Sequence, residues 1–269
     1  MANNPTVARA THANRGIEMK YRRSIEAMIE LMHTSTLYWL QAAYRKNPPR
    51  MAAVVAQAQD ASLPTLDIMA AINELRGRWT KFFAESAKKM AETFTGRMFS
   101  TSDRSFQASL KDAGWAVKME MTPAMRDAVQ ASIQENIGLI RSIPEQYLGQ
   151  VEGIVMRNYA AGRQLKPMAD ELRALYPKAA NRAKLISRDQ SNKIHAVTTR
   201  ARQLELGITE AIWMHSHGGK EPRPDHVAAN GRKYNVAEGC LISGELIYPG
   251  TKINCRCSCK SVFPFEVAQ

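Results

Sequence analysis

All four cysteines of this 269-residue chain, Cys240, Cys255, Cys257 and Cys259, lie between Trp213 and Phe265, together with His215, His217 and His226. Thiolates and imidazoles are the donors that hold a tetrahedral zinc ion, and a Cys–His pair is also the core of thiol nucleophile chemistry. The run Cys-Arg-Cys-Ser-Cys spaces its thiols at alternate residues. In a strand they share one face, with adjacent Cα atoms roughly 6.5 Å apart and the outer pair roughly 13 Å apart. One ion therefore takes one or two of them unless the chain bends, and needs remote ligands. His226 and Cys240 are the best candidates beside Cys255 and Cys257, and His215 or His217 can contribute. Structural zinc on these residues, buried free thiols, and a disulfide formed after release from the cell all remain open readings.

Other chemistry is poorly supported. His215-Ser216-His217 resembles half of a metal-hydrolase ligand set, but Glu221 and Asp225 are the nearby carboxylates, and Pro222 and Pro224 make that segment stiff. Thiol nucleophile chemistry is equally under-specified. Arg223 and Arg256 orient loops or touch phosphate. No GxGxxG, P-loop, HExxH or GxSxG pattern occurs, and no catalytic residue is assigned. The expectation is a protein that is not an enzyme.

The elements that must position this segment are largely helical. A helix is predicted from about Gly16 to Lys46, with Tyr21, Ile25, Met28, Met32, Trp39 and Ala43 on its apolar side and Asn47-Pro48-Pro49 as its stop. A small-residue stretch up to Leu63-Pro64 reads as a short helix or a connector. A long helix opens near Thr65 or Asp67 and carries Ile68, Ile72, Leu75, Trp79, Phe82, Phe83 and Phe94, aromatic residues at core spacing rather than a base-stacking platform. Ser102 is expected to cap a separate short helix to Leu110, and Trp115–Glu120 alternates like a short strand. Thr122-Pro123 reads as N-cap and N1 of a helix to about Gly138, and Ser142 with Pro144 as the start of another to Gly162. A short helix covers Pro167–Leu175.

The next helix is strongly basic. Lys178, Arg182, Lys184, Arg188, Lys193, Arg200 and Arg202 accompany one acid, Asp189. Ala183, Ile186, Ile194, Val197, Ala201 and Leu204 form its apolar arc, flanked by the cations, so those seven side chains are candidates for DNA or partner contact as well as for a solvated face. Gln190 falls inside the arc and needs a hydrogen-bond partner. After Gly207, short alternating pieces and Gly/Pro-rich turns replace helices. The expected fold is a mostly α N-terminal region, residues 1–165, followed by a small α+β domain, residues 166–269, opened by the basic helix.

The net charge of +12 favours an anionic partner such as double-stranded DNA or an acidic protein surface. The polar, basic N-terminus lacks the apolar core of a secretion signal, and the apolar run Met51–Ala56 is too short to span a bilayer, so neither export nor a membrane partner is expected.

Trp213, Pro222-Arg223-Pro224-Asp225-His226, Gly231, Pro249-Gly250 and Cys255-Arg256-Cys257 resemble the C-terminal domain of the phage Mu protein F-like, SPP1 gp7-like head morphogenesis family. ISRDQSNKIHAVTTRARQLELGI is also similar, and NIGLIRSIPEQYLGQVEGIV resembles longer members. His226, Cys255 and Cys257 fall on the shared motif; Cys240 and Cys259 look like additions, and no ligand role carries over to His215 or His217. The resemblance implies a minor head protein inside the procapsid or virion, made in the host cytoplasm and associated with portal, capsid or scaffold proteins, with a part in DNA packaging or ejection. Some relatives carry a toxin or enzyme domain after this module; with twelve residues after Cys257, none is expected here. The alternatives are a nucleic-acid-binding protein with a Cys/His metal knuckle and, third, a metal-dependent hydrolase or nuclease.

Overall fold

Polar residues that look like helix breaks from sequence turn out to be helix-interior residues with tertiary bonds. The computed structural model describes residues 7–49, 63–162, 165–218 and 221–263; the segments at 50–62, read above as helix or connector, and at 264–269 lie outside these. Five helices come first: α1 Arg15–Lys46, α2 Pro64–Asp112, α3 Pro123–Ala160, α4 Leu165–Arg173 and α5 Leu175–Glu205. A short-strand region follows, with β1 Glu210–Met214, α6 Pro224–Ala228, β2 Lys233–Asn235, β3 Cys240–Ile242, β4 Glu245–Ile247 and β5 Ser258–Val262. The mostly α region followed by a small strand-bearing region agrees with the sequence expectation.

Helix α2 runs unbroken through Ser102, which does not cap a second helix. Ser102 is buried, and its hydroxyl lies 3.1 Å from His195 Nδ1. Helix α3 likewise continues through Ser142 and Pro144; the Ser142 hydroxyl donates to Leu139 O at 2.7 Å and accepts from Arg182 Nη2 at 2.8 Å. In both cases the hydroxyl serves the helix flank or a neighbour, where an N-cap would have turned it on its own first turn. Thr122 is a true cap: Met125 N donates to its hydroxyl at 3.2 Å. Trp115–Glu120 keeps its strand-like alternation of exposure but belongs to no sheet; Trp115, Val117 and Met119 pack instead on a cluster with Phe106, Leu110, Ile208 and Phe263.

The chain divides into two compact units, each discontinuous in sequence. One comprises residues 22–90 and 135–184 and is helical. Ile25, Ile29, Met32, Ile68, Ile72, Phe83, Ile140, Leu148 and Val151 make its core. Trp79 and Phe83 are buried there as read from sequence, whereas Trp39, counted on the apolar stripe, is 49% exposed. His33 Nδ1 meets the Tyr147 hydroxyl at 2.7 Å, and Arg76 pairs with Glu152.

The other unit comprises residues 1–21, 91–134 and 185–269 and contains every cysteine. Its main sheet is antiparallel in the order β2-β1-β5, with Trp213 opposite Cys259 and Ala211 opposite Tyr234. A second hairpin pairs β3 with β4. The N-terminal segment closes the open side of β5, through the Val7–Val262 bridge and Ala8 N to Ser261 O at 3.1 Å. Thr11 holds that segment to α5, its hydroxyl 3.2 Å from His195 Nε2. Among the described residues no helix is long and apolar enough to cross a membrane.

Two expected outcomes follow from this packing. Gly250 has φ +84, and a Cβ there would sit 3.2 Å from both Ala196 Cβ and Asn192 O. Gly250→Ala should therefore lose ~2 kcal/mol in urea unfolding, from strain and overlap together. Burial pushes the His195 pKa down from 6.5 to about 4, so between those values the unfolded chain binds the extra proton and the native one resists it. Stability is then full above pH 6.5 and falls as the pH drops toward 4, by on the order of 2–3 kcal/mol. His195→Gln should flatten that part of the stability–pH curve; a slope as steep as that of the unsubstituted protein overturns the assignment.

Candidate metal centre

Three donors converge from two backbone segments. His226 sits on the short helix α6, whose start is set by Pro224 at its first turn and whose end returns to β1. Gly231 N donates to Trp213 O at 2.8 Å and Trp213 N to Arg232 O at 2.9 Å. The positive φ of Gly231, +80, permits this return without a Cβ penalty. Cys255 and Cys257 come from the turn and extended run that lead into β5. Cys255 N bonds Lys252 O at 2.9 Å, and Asn254 takes a left-handed φ of 59.

Helix α5 pins this thiol-bearing turn. Asp189 Oδ1 accepts from Asn254 N at 2.8 Å, and Asn192 Nδ2 donates to Cys255 O at 2.9 Å. Arg188 reaches Asn254 Oδ1 at 3.4 Å, and Arg223 donates to Ile253 O at 2.9 Å, so it orients the loop through a carbonyl. Arg256 lies against Gly218, with Nη1 3.3 Å from where a Cβ would stand. Pro249-Gly250 makes the close approach to α5 described above. Arg202, one of the seven basic side chains named for DNA or partner contact, is instead buried: it pairs with Asp103 at 2.6 Å and Glu205 at 2.6 Å and donates to Glu120 O. That corrects its expected outward role. Lys193 pairs with Asp189 at 3.1 Å. Arg200 donates to Val236 O and Ala237 O and lies 3.9 Å over the Tyr248 ring. Arg182 is half-buried, and burial lowers its pKa. Lys184 is half-buried too, while Lys178 is exposed. At the end of the apolar arc, Leu204 is 45% exposed, and Gln190 is fully buried and engaged.

His226 Nδ1 lies 3.5 Å from Cys255 Sγ and 3.7 Å from Cys257 Sγ, and all three residues are buried. The three donor atoms fall within 4.8 Å of one another. A tetrahedral zinc with ordinary Zn–S and Zn–N bonds separates sulfur from nitrogen by roughly 3.6 Å. The observed separations need almost no adjustment to hold such an ion. Two sulfurs and an imidazole are also the soft to borderline donors that zinc favours.

The electrostatics favour a thiolate on one of the two cysteines, with the other holding the proton between them. The Cys255 thiol is held well below its usual pKa, first by the hydrogen bond from the Cys257 thiol and then by the backbone N–H groups of Cys257 and Gly250, against the opposing effect of burial. Cys257 is pushed up by that same bond and by burial. Trp213, fully buried, sets its ring edge-on to His226 with centroids 5.3 Å apart.

The other thiols stand apart. Cys240, proposed from sequence as a ligand, is buried in the same apolar cluster but lies outside the three-donor group. Burial raises its pKa, with Arg232 opposing. It starts β3 opposite Ile247, and that pairing directs it into packing. Cys259 lies on β5 near Gln203, 3.5 Å away, and burial raises its thiol pKa. His215 is buried beside the cluster, with its backbone N on Asn230 Oδ1 at 2.9 Å. Asp189 and Asn192 were not assigned a place at the site from sequence. The lone acid in a basic helix was a usable signal for Asp189; nothing marked Asn192.

Residues 149–260 match the family described as Phage Mu protein F like protein. The matched stretch takes in α5, strands β1 to β4 and all three converging donors. The chain is also 34% identical over 136 residues to an uncharacterized protein of Haemophilus influenzae strain Rd, a match that covers 51% of this chain and 30% of that protein. The chain thus spans about 30% of the length of that curated relative. No solved structure matches.

If α5 holds the thiol turn, cutting Asn192 to Ala removes a backbone partner worth about 1–1.5 kcal/mol. The turn should then open more often, and Cys255 alkylation by iodoacetamide under native conditions should speed up about tenfold. Peptide mass spectrometry reads this, and an unchanged rate would show that the turn holds itself.

Proposed function

We propose that this chain is a minor head protein of a bacteriophage or prophage, an internal, portal-associated component that acts in head assembly. The observation that carries this reading is the match of residues 149–260 to the Phage Mu protein F like family. Kinship with the SPP1 gp7-like branch, association with portal, capsid or scaffold proteins, and a part in DNA packaging or ejection belong to the same proposal. The protein would be made in the host cytoplasm and enclosed in the procapsid. The role is structural and needs no catalytic group.

In this reading His226, Cys255 and Cys257 hold a structural zinc. Bound there, zinc cross-links α6 to the run entering β5, where three-residue strands and long turns bury little apolar surface of their own. The donor spacing described above supports this role. The purified chain should carry one equivalent of zinc by elemental analysis; no stoichiometric metal with four freely reactive thiols would remove the zinc.

Net charge favours a second reading, non-specific DNA binding. Much of the positive charge on α5 is engaged within the protein, which places this reading second. Its test is a salt titration of DNA binding by the whole chain, and no saturable binding at low salt would eliminate it.

The assembly role is tested by tagging the protein in its phage or prophage and purifying procapsids. It should co-purify with the portal protein and appear inside heads at low copy. Absence from both heads and portal complexes would defeat the proposal.

A further inference from the structure

We infer that His215 is the fourth ligand of this centre, making it a closed Cys2His2 site of His215, His226, Cys255 and Cys257. The inference rests on the zinc reading above. It follows from strand register. Strand β1 pairs antiparallel with β5, with Trp213 opposite Cys259 and Met214 opposite Ser258. Continued by one residue, that register sets His215 opposite Cys257. Residues opposite each other in an antiparallel pair project from the same face, with Cβ atoms about 5 Å apart. The burial pattern agrees: Ala211, Trp213 and His215 are buried in alternation along this edge, and Cys257 is buried across from His215.

The backbone beneath His215 is fixed by the same segment that carries His226. His215 N donates to Asn230 Oδ1 at 2.9 Å, just after α6. Both imidazoles therefore hang from one cross-tied frame, and both thiols from the turn that α5 pins. The alternatives fit less well. The Cys240 thiol is hydrogen-bonded by Arg232, Cys259 faces Gln203, and the Asp225 carboxylate is taken by Ser243 Oγ at 3.0 Å and His226 N at 2.8 Å.

In the structure His215 stands outside the three-donor group, and its Nδ1 accepts the backbone N–H of His217 at 3.1 Å. A neutral imidazole that accepts at Nδ1 carries its proton on Nε2, so neither nitrogen is free to ligate. The bond depends on a left-handed turn at His217, φ 49, a conformation that costs a residue with a Cβ. Rotation of the His215 ring would exchange this one hydrogen bond for a metal bond and let residues 216–218 relax.

The test is X-ray absorption of the zinc-loaded full-length protein, with chelator competition on His215→Ala, His217→Ala, Cys240→Ser and His226→Ala. The expected first shell is two sulfurs and two imidazole nitrogens. His215→Ala should weaken zinc by at least about tenfold, in line with loss of a contributor to the site. His217→Ala and Cys240→Ser should leave affinity within about twofold. Three sulfurs with one nitrogen, or two sulfurs with one imidazole and a water oxygen, would overturn the assignment of His215 while leaving a zinc centre. An unsubstituted protein that binds no zinc would instead remove the reading on which this one rests. Circular dichroism of each variant separates ligand loss from failure to fold.

Discussion

The C-terminal strands depend on the polar face of α5. Strands of three to five residues cannot satisfy the backbone of the long turns between them, and every buried N–H and C=O left unpaired is costly. Side chains from one helix supply what the ladders lack. Asp189 and Asn192 take the turn before Cys255, Arg200 takes two carbonyls after β2, and Gln203 bonds Ser261 Oγ at 2.9 Å. These groups recur at three- to eight-residue intervals along the helix, so one rigid rod sets the spacing of several loops that have little regular structure of their own.

The same helix anchors the rest of its unit through two buried polar centres. Arg202 gathers Asp103, Glu205 and the Glu120 carbonyl, tying α5 to α2 and to the extended run before α3. A buried guanidinium is tolerable because its donors have partners, and removing one carboxylate would leave charge stranded. His195 joins Ser102 of α2 to Thr11 of the N-terminal segment. Much of the positive charge that looks in sequence like an invitation to an anion is therefore structural. A helix can be basic because it must reach carbonyl oxygens and carboxylates around it.

That arrangement bears on function. Two buried thiols and a buried imidazole, with the thiol turn held by a helix, are kept close together before any ion is bound. Such a frame is consistent with the structural role proposed above.

Sequence alone determined the helical periodicity, the switch to short strands after Gly207, the Thr122 cap and the clustering of cysteines with His226. Those features are local: apolar spacing, a hydroxyl beside a proline, and donors close in number along the chain. Only the tertiary structure decided that Ser102 and Ser142 lie inside long helices, that Arg202 is buried, and that Cys240 leaves the donor group while Cys255 and Cys257 meet His226. The same residue types serve both outcomes, since a serine hydroxyl caps a helix or bonds a histidine according to what packs across from it. The distance between His226 and the Cys255–Cys257 pair follows from a helix end returning to a strand and a turn held by Asp189 and Asn192, contacts whose partners lie about 30 to 65 residues apart and leave no periodic trace in sequence.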